Sequence, residues 1–208
     1  MPLHFARPPE ASTNALEAAL PAVARRASIA THAPAINSGI VSHLRRRRGE
    51  APAAAREPIA APVHVIGLDQ IAAQKVATTT PKLWTYMLHA DDDEAPAALA
   101  DIDLHSHAFS AVSEGPQITS LGRRIRSVEA DSAASDEHYD VSIIRVPALY
   151  LTAMWLKGRD GRPDVVIPEA SPKSPLIAGK RYSLEQFNAE LKPVAERLLA
   201  ETDPEKGG

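Results

Sequence analysis

The chain has 208 residues, of which 44% are hydrophobic and only 4% aromatic, and its formal net charge is -3. Much of the apolar count is alanine, which buries little area, so the composition allows one modest core with chain to spare. The absence of cysteine excludes disulfides, thiol catalysis and thiolate metal sites, and no run approaches the roughly 18 apolar residues of a spanning helix.

Charge divides the chain. Residues 1–62 carry eight Arg against four Glu, a net of +4. Residues 63–208 carry 15 basic and 22 acidic groups, a net of -7. Such a split marks a tail beside a domain. The first 62 residues also hold eight prolines, with Phe5 as the single aromatic. They are expected to form a largely disordered arm and Ala/Pro linker. Two short helices fit within it. Thr13 or Asn14 caps one through Arg26, with Leu16, Leu20 and Val23 on a face. Ile36, Ile40, Val41 and Leu44 mark the other, which ends in Arg45, Arg46, Arg47 and Arg48. The N-terminus lacks the basic-then-apolar block of a secretory signal. The expected location is cytoplasmic, with export through a non-classical N-terminal signal as the alternative.

A folded domain is expected over 63–200, with a disordered tail at 201–208. Val63 to Leu68 is a short apolar strand, and Asp69 caps a brief helix through about Val76. Lys82 to Ala90 is a strand with apolar or aromatic residues on both faces, closed by the acidic turn Asp91 to Glu94. Ala97 to His105 is its hairpin partner, with Leu99, Asp101 and Asp103 opposite in facing to Ile102 and Leu104. Phe109 to Val112 adds a strand. Pro116 stands at a helix start, followed by Ile118, Leu121, Ile125 and Val128 at helical spacing. A polar loop covers Ala130 to Glu137.

Tyr139 to Leu156 is the most apolar stretch and has to be covered on both faces. Its face changes at the Arg145/Pro147 break, after which Leu149, Leu151, Ala153 and Trp155 share a side at period 2. Pro147 suggests a bulge or edge position. Asp160-Gly161 is a hairpin turn signal, and Asp164 to Ile167 returns from it. A proline-containing loop leads to Lys180. Ser183 and Gln186 form a capping box for a last helix with Leu184, Phe187, Leu191, Val194 and Leu198 on its core face, which Pro193 should kink. Tight turns between neighbours predict antiparallel pairing. The expected fold is α+β: a single antiparallel sheet of five or six strands with two or three helices on one face.

Chemistry is sparse. Histidines at i and i+2 at a strand end can reach one metal ion, and an adjacent carboxylate can complete or orient it, which makes Asp103, His105 and His107 the candidate metal ligands. This string resembles the opening motif of the PHP-type metal-dependent phosphoesterases and, more loosely, of the amidohydrolases. The resemblance covers five residues and implies a metal-dependent hydrolase. Those families need further His and Asp ligands over a long α/β barrel. This domain offers only His64, His89 and His138 besides the motif. The Asp91–Glu94 cluster lacks the spacing of an EF-hand and is expected to be a solvated turn. Arg45 to Arg48 form the candidate anion-binding group, suited to the phosphates of nucleic acid or an anionic lipid surface. No phosphate-binding glycine motif and no nucleophile elbow occur, so no cofactor and no catalytic residue are assigned. Trp84 and Trp155 are expected in the core. Taken together the residues favour a non-enzymatic protein-interaction module (an adaptor, accessory or secreted cargo) whose basic arm targets or tethers it, with an unidentified protein as partner.

Overall fold

The computed structural model describes residues 3–29, 40–45, 59–89, 96–135 and 138–202. The middle of the sheet follows from the apolar stretch at 139–156. Tyr139–Val146 (β6) and Leu151–Gly158 (β7) pair antiparallel along their full length, from Tyr139 opposite Gly158 to Val146 opposite Leu151. Between them Pro147–Leu149 form one turn of 3-10 helix, and Tyr150 closes it in the left-handed region at φ 48°. Proline's missing N–H and fixed φ suit the first position of such a turn, so Pro147 ends a strand instead of bulging one. Strand alternation then sends Val141 and Ile143 to one face and Ile144 and Val146 to the other.

Two-faced apolar strands need cover on both sides. Pro116–Ser135 (α4) lies on the first face, where Ile118, Leu121, Ile125 and Val128 pack on Val63, Met87, Leu99, Val141, Ile143 and Met154. The opposite face divides into two clusters. Leu184–Thr202 (α5) and the short Leu68–Ala72 (α3) cover Ile144, Val146, Ala153 and Trp155 with Phe187, Leu191 and Ile71. Glu10–Ile29 (α1) and a helical segment at 40–45 (α2) cover Trp84, Tyr86, Leu88 and Ile102 with Leu16, Leu20 and Ile40. Five helical segments thus sandwich the sheet. The expectation of helices on one face is corrected by the same rule that located the core.

The sheet itself is larger and more mixed than expected. Among the described residues it has nine strands. The remaining ones are Leu3–His4 (β1), Ile59–Val65 (β2), Leu83–His89 (β3), Pro96–Asp103 (β4), Phe109–Ser113 (β5), Val165–Pro168 (β8) and Tyr182–Ser183 (β9). Their order is β5-β4-β3-β2-β6-β7-β8-β9, with β1 beside β6. Neighbours consecutive in the chain are antiparallel, whereas β2 and β6 run parallel with Val63 opposite Ile143. The chain between those two strands includes a whole hairpin series and α4, which is the long connection that parallel pairing requires. β1 is also parallel, with Leu3 opposite Tyr139.

The region expected to be an arm therefore supplies β1, α1, α2 and the start of β2, while residues 30–39 and 46–58 lie outside the described residues, as do the acidic turn 91–94 and the tail 203–208. Two local signals hold, whereas Asp69 lies inside the helix that Gly67 caps and α4 continues to Ser135 through the expected start of a polar loop. Arg162 N donates to Arg159 O at 3.1 Å across Asp160 (φ 55°) and Gly161 (φ 80°), the two positive angles of a type I′ hairpin turn. Ser183 N donates to Gln186 Oε1 at 3.0 Å and Gln186 N to Ser183 Oγ at 3.1 Å, completing the capping box. α5 runs through Pro193, which sits on its exposed side.

Candidate functional site

On the α4 face the sheet carries polar groups among its apolar ones. Asp101 in β4 stands opposite Thr85 in β3, and both are buried. Thr85 Oγ1 donates to Asp101 Oδ1 at 2.7 Å. From β6, Arg145 reaches across β2 and β3 and donates from Nη1 to Asp101 Oδ2 at 2.5 Å and from Nη2 to Oδ1 at 3.0 Å. This fork-on-fork geometry is the strongest form of a carboxylate–guanidinium pair and fixes the guanidinium plane. The Asp101 side chain is 6% exposed and that of Arg145 is 20% exposed, so the arginine keeps a solvent-facing side.

That side opens into a cleft of about 560 Å³. Its apolar lining includes Leu99, Ile118 and Leu121, and its polar lining is Ser113, Glu114, Gln117, Arg145 and Thr152. The cleft exists because β5 stops at Ser113 and α4 starts at Pro116. Gly115 makes the corner at φ 136°, a conformation that side chains rarely adopt. A second buried carboxylate borders this region. Glu169, 2% exposed, accepts from Ser120 Oγ at 2.6 Å and from Arg124 Nε at 2.5 Å, both on α4, and its backbone N donates to Thr152 O at 2.8 Å. These bonds pin α4 to the end of β8 and set the cleft's width. Burial of each carboxylate is offset by hydrogen bonds to its charged form, as an interior charge requires.

Sequence reasoning assigned no role to Asp101, Arg145, Arg124 or Glu169. The available signal was Asp101 inside one apolar strand and Arg145 inside another, since an unpaired interior charge is rare.

The sequence-derived candidates stand elsewhere. Asp103 Oδ1 accepts from His105 N at 3.1 Å, Ser106 N at 2.7 Å and Ser106 Oγ at 2.8 Å. These bonds, led by that from the Ser106 backbone, hold its carboxyl below the usual range. It shapes the turn after β4. His105 is exposed at that turn, and His107, at φ 51°, lies 3.1 Å through Nδ1 from Ser12 Oγ in α1. Among the described residues no three His, Asp or Glu side chains are grouped to hold a metal ion. Arg45 ends α2, and Arg46, Arg47 and Arg48 lie outside the described residues. Trp84 and Trp155 are in the core as expected. Among the described residues no helix is long and apolar enough to cross a membrane. Compared with protein-family models, curated proteins and solved structures, the chain matches none.

Proposed function

We propose that this chain is a non-enzymatic protein-interaction module that receives an extended segment of a protein partner in the cleft beside Arg145. The observation that carries the reading is the cleft's construction: apolar and polar lining residues side by side, with Arg145 held in an ion pair. Leu99, Ile118 and Leu121 offer burial to an apolar side chain, while Ser113, Gln117 and Thr152 offer hydrogen bonds that fix its direction. Arg145 and Arg124 are each held by a buried carboxylate, which suits rigid walls rather than groups that change charge during a reaction. β5 leads to the same place. It ends the strand order, and among the described residues nothing pairs with its outer edge, so a partner strand added there runs into the cleft at Ser113. The basic residues Arg45 to Arg48 then serve as a tether to an acidic surface.

The test uses the full-length chain as bait, with partners identified by mass spectrometry, beside Ser113→Trp and a variant with Arg45 to Arg48 all changed to Ala. Ser113 is exposed, so the indole fills the cleft without entering the core. A partner bound by the wild type and lost with Ser113→Trp is the expected result. A partner that ignores Ser113→Trp and is lost with the arginine variant overturns the cleft as the binding surface.

A further inference from the structure

On the sheet face opposite α4, between the two helical clusters, lies a small polar network that the proposed partner cleft does not use. His64 in β2 is 1% exposed and stands edge-on to Trp155 in β7, ring centroids 4.9 Å apart. Thr79 Oγ1 donates to Val76 O at 2.8 Å, so its one proton is committed. Toward His64 Nδ1, 3.2 Å away, Thr79 Oγ1 is therefore an acceptor, and Nδ1 carries the imidazole's proton. His64 Nε2 is left with its lone pair, and Lys157 Nζ lies 3.3 Å from it. The same Nζ stands 4.1 Å from the centre of the Trp155 ring. Asp164 is committed on both oxygens, accepting from Trp155 Nε1 at 2.9 Å and from Gly158 N at 3.0 Å. Asp140, opposite Lys157 in the ladder, is exposed and 3.8 Å from Arg159. The lysine thus has a fixed hydrogen-bond acceptor at one side, an aromatic ring at another and, among the described residues, no carboxylate bonded to its nitrogen.

We propose that Lys157 is a nucleophilic amine site that captures a small aldehyde as an imine, with His64 Nε2 holding the amine in place. The ammonium gives one proton to solvent water. The freed nitrogen lone pair forms the C–N bond, and the carbonyl electron pair moves to oxygen, which takes a proton from nitrogen to give a carbinolamine. A solvent hydronium gives a proton to that hydroxyl, the C–O bond breaks, water leaves, and a protonated imine remains. The reaction needs no oxidant or reductant. Burial holds the Lys157 amine below the ordinary lysine range despite the opposing pull of Asp164 and Asp140, and burial, with the Lys157 charge, lowers His64 to about 4. The Trp155 and His64 rings close two sides of Nζ, so the carbonyl compound that fits is a small one.

The chain has seven lysines, and Lys192, near Glu196 on the exposed side of α5, is an internal standard. The full chain is treated with limiting acetaldehyde and cyanoborohydride near about pH 7, and ethylation of each lysine is followed by peptide mass spectrometry. A lowered pKa enlarges the neutral fraction of the amine, so Lys157 is expected to be modified faster than Lys192. His64→Gln removes the ring that positions the amine, and Thr79→Val releases the tautomer while leaving the imidazole in place. Both are expected to slow Lys157 selectively and leave Lys192 unchanged. Modification of Lys157 at the Lys192 rate or slower in the wild-type chain overturns the proposal. An unchanged Lys157 rate in both folded variants overturns the role of His64.

Discussion

Removing the Asp101 carboxylate is the most direct test of how the cleft is held. Asp101→Ala leaves the Arg145 guanidinium and the Thr85 hydroxyl facing a gap, with two arginine bonds and one threonine bond lost. Breaking a buried ion pair from one side costs about 3–5 kcal/mol, because the surviving charge stays desolvated. The Arg145 side chain is 20% exposed and so recovers part of its hydration. That places the expected cost at the lower end, about 3 kcal/mol. For a chain of this size it corresponds to a fall in Tm of about 6–12 °C. Paired replacement by Asp101→Leu and Arg145→Met removes both charges and is expected to cost less than Asp101→Ala alone. Urea unfolding of the two single variants and the double gives the coupling directly. A single-variant cost below about 1 kcal/mol, with coupling below about 0.5 kcal/mol, would refute the claim that this pair organises the cleft wall.

Three further outcomes are expected. Leu16 is fully buried under α1, so Leu16→Ala should destabilise by about 2–5 kcal/mol in urea unfolding; no effect would mean that α1 does not pack on the sheet. His64 is held neutral in the folded chain, to about 4 against an ordinary 6.5, so unfolding takes up a proton as the pH falls between these values. Its contribution is full above 6.5 and declines on acidification by at most about 3 kcal/mol, and His64→Gln should remove that part of the pH slope. At Gly158 an added Cβ would overlap the Arg162 carbonyl, so Gly158→Ala should cost about 1–3 kcal/mol and lower the urea midpoint; an unchanged midpoint would show that the turn can shift.

Periodicity and turn chemistry in the sequence determined the local elements. The period-2 run ending in Trp155, the Asp160-Gly161 turn, the Ser183–Gln186 capping box and the apolar stripe of α4 all stand where spacing puts them, because each depends on residues a few positions apart. The two-residue strands β1 and β9 were illegible, since their pairing is set by distant partners. The side on which each helix lies was also undetermined by local pattern, although a strand apolar on both faces, such as β6, already demands two covering layers. Leu16 and Leu20 formed a visible stripe in a proline-rich, basic segment, and composition argued for disorder where burial in the folded chain supplies the stabilisation. The site depended on tertiary structure most of all. Asp101 and Arg145 are 44 positions apart, and Lys157 and His64 are 93 apart. Strand order alone brings each pair together, and only then does burial turn ordinary charged residues into a fixed cleft wall and a desolvated amine.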